Sequence, residues 1–273
     1  MSNDNRLAKS FAALRASGKR TMVPFLTAGF PDLKTTGALL AEIEARGVAV
    51  CEIGFPFSDS IADGPTIQSS YYHALEGGVT CEGIFEMVKA YRKGGGKMAL
   101  VAMVSDSIVY RRGYEGFSAA AAEAGFDALL IPDLPLEEAL KVQPVAASHG
   151  LCCIMLVAPT STAERREQIA RSSTGFVYYM SVAGITGART ALPAATLAAV
   201  AELKTKTDTP ICVGFGISSP EMVSEVCKAA DGAIVGSAIV AQIAKRTADH
   251  PQTLVKDIGN FVAELLAGAA GAR

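Results

Sequence analysis

Eight short apolar runs, each ending in a turn and followed by an amphipathic segment, repeat along this chain, and that rhythm constrains its fold more than any other feature. The runs lie at residues 22–27, 48–53, 98–104, 128–131, 152–157, 175–180, 211–213 and 232–235. They are nearly continuous in apolar residues instead of alternating with polar ones. Strands of that kind are buried on both faces, as in a parallel sheet covered by helices. Helical spacing appears between them, at 33–45, 83–93, 114–124, 136–148, 163–171, 193–204 and 220–229. Strand–helix units repeated in this way, with no second core and no low-complexity linker, predict an α/β chain folded as one (β/α)8 TIM barrel over 1–273. An extra N-terminal helix is expected at 6–17. Extra helices are expected near strand 8, one opening at Ser237 and one at 253–266 behind Pro251. A doubly wound open sheet is the competing fold, but no G-x-G-x-x-G follows the first run.

Charge and composition exclude several functions. The 273 residues carry 25 basic and 27 acidic side chains, a net charge of −2, and no tryptophan. With no basic block, neither a nucleic-acid partner nor a membrane surface is expected. No apolar stretch is long enough to span a bilayer. The polar start, Met1 to Arg6, leads into no apolar h-region, so a cytoplasmic location is expected. Six cysteines are scattered without a C-x-x-C pair, and there are three histidines. No metal-ligand set emerges, and the cysteines read as small buried hydrophobes in a reducing compartment.

The chemistry concentrates where the second run ends. Glu52 comes directly after the run's apolar stretch Val48-Ala49-Val50-Cys51, and a Gly/Pro-punctuated loop then carries Asp59 and Asp63. Alternation along a strand puts Val48, Val50 and Glu52 on one face. If the valines face the barrel interior, Glu52 stands at its rim, where lost hydration raises the pKa and suits a carboxyl to proton transfer near neutrality. The same position also suits a structural carboxylate capping the next loop. Asp63, within Ala62-Asp63-Gly64-Pro65, reads first as turn chemistry, and Asp133 after the fourth run has the same ambiguity. Glycine-rich points at 183–187, 214–218 and 236–239 follow late strands. Backbone amides there, together with a helix opening at Ser237, favour a phosphate site. Tyr178 reads as core, its hydroxyl needing a partner, with Glu52 across the barrel one possibility.

These residues carry a family resemblance. The run Glu52-Ile53-Gly54-Phe55-Pro56-Phe57-Ser58-Asp59, followed by Ala62-Asp63-Gly64-Pro65-Thr66-Ile67-Gln68, resembles the signature of the tryptophan synthase alpha subunit family. Segments 24–31, 131–135, 183–187 and 214–218 extend the likeness over nearly the whole chain. The resemblance implies a lyase of aromatic amino-acid biosynthesis that cleaves indole-3-glycerol phosphate to indole and glyceraldehyde 3-phosphate. It implies Glu52 and Asp63 as catalytic groups, the first moving protons and the second accepting the indole N–H. Tyr178 would sit against Glu52, and Thr186 would help close the site and orient Asp63. Phe25, Met103, Leu130 and Ile234 would contact the indole. Amides around Gly187, Gly216, Gly236 and Ser237 would hold the phosphate. No cofactor is implied in this chain. Pyridoxal phosphate is expected in a beta subunit, its partner in an alpha2beta2 heterotetramer.

The chain departs from the family pattern in three places. Ser60 stands where the family usually has proline, Val182 where an arginine is common, and Val104-Ser105-Asp106-Ser107 replaces an aromatic-x-asparagine segment. In the family the second and third loops, those after strands 2 and 3, contact the beta subunit. Two alternatives follow, a stand-alone lyase releasing free indole and a weakly catalytic scaffold that activates a beta subunit. A Schiff-base barrel enzyme is disfavoured, because Lys97 and Lys204 precede strands and fall at the wrong end.

Overall fold

The computed structural model describes residues 5–61, 63–181, 194–214 and 216–270. Eight parallel strands close in sequence order into a barrel: β1 (Thr21–Thr27), β2 (Val50–Gly54), β3 (Ala99–Met103), β4 (Ala128–Leu130), β5 (Cys152–Val157), β6 (Val177–Met180), β7 (Ile211–Gly214) and β8 (Gly232–Val235). All eight expected runs form strands. Closure follows from hydrogen bonding of β8 back to β1, with Val23 opposite Ile234.

The helices begin where local side chains satisfy their free amides. Asp32 caps α2 (Leu33–Ala45), Thr80 caps α4 (Cys81–Lys93), Thr162 caps α8 (Ala163–Ser172) and Ser219 caps α10 (Pro220–Ala229), each accepting from an amide of the first turn. With α6 (Tyr114–Ala124), α7 (Leu136–Ser148), α9 (Ala194–Lys204) and α12 (Leu254–Ala270), they form the outer layer. The helix expected from Ser237 is present as α11 (Ser237–Asp249).

Two helices go beyond the sequence expectation: α3 (Pro65–Glu76) and α5 (Asp106–Arg112). The Gly64-Pro65 pair reads as a turn, yet proline is equally at home as the first helical residue, where its missing N–H costs nothing. Ile67, Ser70, Tyr71 and Ala74, spaced three and four apart, form the buried face of α3.

Strand alternation divides the apolar residues between two compartments. Leu26, Ile53, Leu100, Leu129, Val157, Tyr179, Val213 and Val235 face the helices. Val23, Val50, Val101, Leu130, Ile154, Tyr178 and Ile234 fill the barrel. Val50 therefore faces inward as anticipated. Val48 does not: it precedes β2 and packs in the outer layer, so the alternation argument for Glu52 stands on Val50 alone.

The first helix, α1 (Arg6–Ala16), plugs the amino-terminal end of the barrel. Leu7 and Phe11 are buried among the interior residues, and the Phe11 and Phe176 rings lie 5.6 Å apart. Asn5 holds this helix in place. Its Oδ1 accepts from Leu7 N–H at 2.9 Å, while its Nδ2 donates to the Asp127 and Gly150 carbonyls at 2.8 and 2.9 Å. Arg6 and Arg92 both pair with the buried Asp127 carboxylate, which also accepts from Leu100 N–H.

Candidate active site

Glu52 is the third residue of β2, with Phe25 of β1 and Val101 of β3 beside it in register. Its side chain points inward with 1% of its surface exposed. Among the described residues its Oε1 has no hydrogen-bond partner. Withdrawal from water raises its pKa from 4.5 to about 8. At neutral pH Glu52 therefore holds a proton, the state required of a general acid.

Tyr178, two residues beyond interior Phe176 on β6, is buried in the same compartment. Burial pushes its phenol well above the usual range, and the nearby Glu52 and Asp63 carboxylates push it further. A methyl on Gly214 of β7 would collide with the Tyr178 hydroxyl, so this glycine leaves the ring its place.

Asp63 lies at the end of the loop between β2 and α3. Gln68 Nε2 donates to the Ser60 carbonyl at 2.8 Å, and Asp63 N–H donates to the same carbonyl at 3.3 Å. The Ser60 hydroxyl donates to Asp63 Oδ2. Burial raises the Asp63 pKa, the Ser60 bond lowers it, and neighbouring Asp133 raises it. Asp133 itself is a structural pin, accepting from Ser105 Oγ at 2.7 Å and from Asp106 N–H at 2.8 Å.

One cleft at the carboxyl ends of the strands joins these groups. Glu52, Asp63 and Tyr178 line it with Phe25, Met103 and Ile234, and its far side is formed by Gly216, Gly236 and Ser237. Gly216 adopts φ +81°, a conformation that favours glycine. Gly236 precedes α11, whose first amides, at Ser237 and Ala238, have no carbonyl one turn back to bond. That end of the cleft is suited to an anion.

Two expected contacts, Thr186 and Gly187, lie outside the described residues, as does Val182. Leu130 is buried in the barrel interior and does not line the cleft. The sequence reading missed Ile67 and Tyr71. Ile67 lines the cleft, and Tyr71 lines a second cleft on the other side of Asp63. Both come from α3, and the helical spacing of its buried face was the signal that would have found them. Among the described residues no cluster of three His, Cys, Asp or Glu side chains is arranged to hold a metal. No described helix is long and apolar enough to cross a membrane.

Comparison with known proteins agrees with this architecture. The family profile described as Tryptophan synthase alpha chain matches residues 11–269. The tryptophan synthase alpha chain of Citrifermentans bemidjiense is 42% identical over 264 residues, 97% of both chains. That of a Picosynechococcus species is 41% identical over 262 residues, 96% of this chain and 99% of the other. The crystal structure of tryptophan synthase subunit alpha from Legionella pneumophila superposes with a TM-score of 0.89 at 33% identity, covering 97% of this chain and 98% of that one. A Mycobacterium tuberculosis tryptophan synthase structure gives 0.87 at 33% identity, with the same coverage. The chain belongs to the tryptophan synthase alpha chain family, and its role is that of an alpha subunit in tryptophan biosynthesis.

Proposed function

We propose that the chain is a carbon–carbon lyase that splits indole-3-glycerol phosphate into indole and glyceraldehyde 3-phosphate, with Glu52 and Asp63 as its catalytic groups. One observation carries the reading: a fully buried, water-deprived carboxyl and a second carboxyl share a cleft with the amino end of a helix. Glu52 delivers its proton to indole C3, which interrupts the aromatic system and places positive charge on the ring nitrogen. Asp63 accepts the N–H hydrogen bond and stabilises that charge as it develops. The Glu52 carboxylate then takes the proton of the hydroxyl next to the scissile bond. The carbon–carbon bond breaks, its electron pair restores the indole, and the former alcohol leaves as an aldehyde. One carboxyl thus serves both transfers and ends as it began.

Phe25, Met103 and Ile234 supply apolar contact for the indole, and Leu130 packs in the interior layer beneath them. The amides at Gly216, Gly236 and Ser237 hold the phosphate, with Gly187 completing the cradle. Tyr178 supports Glu52, and Thr186 supports Asp63. The chain works without a cofactor of its own. Its partner is a beta subunit carrying pyridoxal phosphate, assembled as alpha2beta2 in the cytoplasm.

The test is indole release from indole-3-glycerol phosphate by the purified full chain, with and without a beta subunit. Release that the beta subunit stimulates is expected. No release under either condition defeats the proposal.

A further inference from the structure

Ser60 occupies the position where the family usually has proline, a residue with no hydroxyl. The hydroxyl here is bonded to Asp63, and the backbone that carries it is fixed from two sides by Gln68 Nε2 and Asp63 N–H. Asp63 needs such a partner. Among the described residues the two clefts it borders are lined by no Lys or Arg. Among the described residues the titratable groups around it are Asp59 from its own loop, Asp133 from the loop after β4, Glu52 from β2, Tyr178 from β6 and Tyr71 from α3. Three of these are carboxyls and two are phenols, and none supplies a positive charge. Asp133 is held apart by its own serine, Ser105.

We propose that Ser60 is a positioning residue for Asp63, its hydroxyl aiming the carboxylate across the cleft toward the substrate ring. The inference rests on the reading of Asp63 as the acceptor of the indole N–H. A hydrogen bond to an ionised carboxylate is among the stronger side-chain interactions and fixes rotamer as well as charge. In this chain the donor is three residues away on the same loop, so Asp63 is oriented before substrate arrives.

The experiment compares Ser60→Ala, Ser60→Thr and Asp63→Asn in the full chain, reading kcat and KM for indole-3-glycerol phosphate across pH. Ser60→Ala is expected to lower kcat on the order of tenfold, with KM within about twofold of the parent. Without the donor Asp63 protonates more readily, so the acid limb of activity moves to higher pH. Ser60→Thr, which keeps the hydroxyl, is expected to restore both rate and limb. An unchanged kcat and acid limb in Ser60→Ala, with Asp63→Asn inactive, overturns the role of Ser60 and leaves that of Asp63 standing. A fall in kcat that threonine does not rescue and that leaves the limb in place reduces Ser60 to a loop-shaping residue, which also overturns the proposal. Parental activity in Asp63→Asn overturns both readings.

Discussion

Glu52 and Phe25 are register partners on adjacent strands, and the carboxyl and the ring line the same cleft. Burial shields the acid from water, which favours its protonated form. Glu52→Gln keeps the shape and removes the transferable proton. Indole release is expected to fall on the order of a hundredfold to ten-thousandfold. Far-ultraviolet circular dichroism should match the parent, which separates lost chemistry from lost fold.

The same acid predicts how stability depends on pH. Its pKa is 4.5 ordinarily and about 8 in the folded chain. Between those values the folded state keeps a proton that the unfolded state has released. The stability contribution is therefore complete below pH 4.5 and is lost as pH rises through about 8. Its size is a few kcal/mol, at roughly 1.4 kcal/mol per unit of pKa. Urea midpoints are expected to fall across that window in the parent, and Glu52→Gln should flatten the slope. Equal slopes in the two proteins would contradict the buried acid.

Activity carries a second pH signature from Glu52. On the proposed reaction the first step consumes its proton, so kcat/KM should decline on the alkaline side with a midpoint near the folded value of about 8. A profile flat to well above that point would assign the proton to another group.

Gly214, packed against Tyr178, and Gly236, which lines the cleft, should respond differently to a methyl group. At Gly214 it would collide with the Tyr178 hydroxyl, so Gly214→Ala is expected to displace the ring and destabilise by about 1–3 kcal/mol. At Gly236 it would make ordinary contact with Phe25 Cβ at 3.5 Å. Gly236→Ala should fold normally and raise KM by hindering the phosphate's approach to the α11 amides. Thermal melts and KM values distinguish the two.

Phe11 is remote from the chemistry. Truncating it to alanine empties the space beneath Phe176 and should cost about 3–5 kcal/mol by chemical denaturation. Turnover per folded molecule should be unaffected.

The barrel was legible from the apolar runs because strands buried on both faces leave few polar residues to blur the pattern. Glu52 was legible because it comes directly after such an apolar stretch, and Val50, two residues earlier, fixes its inward direction. Val48 misled because periodicity does not mark where pairing starts, and β2 begins two residues later. α3 was hidden by Gly64-Pro65, whose turn chemistry and helix-start chemistry are the same residues. Leu130 was carried over from the family as an indole contact, but a match in sequence does not encode its depth within the interior layers. The bond from Ser60 to Asp63 was out of reach too, since a serine in a loop gives no sign of where its hydroxyl turns.

Leu7 and Phe11 stopper the barrel at its amino-terminal end, so among the described residues the proposed catalytic cleft is closed off from behind. On the proposed reaction, freed indole must depart through the rim that admitted the substrate. Any conduit that carries it onward has to be docked against that rim.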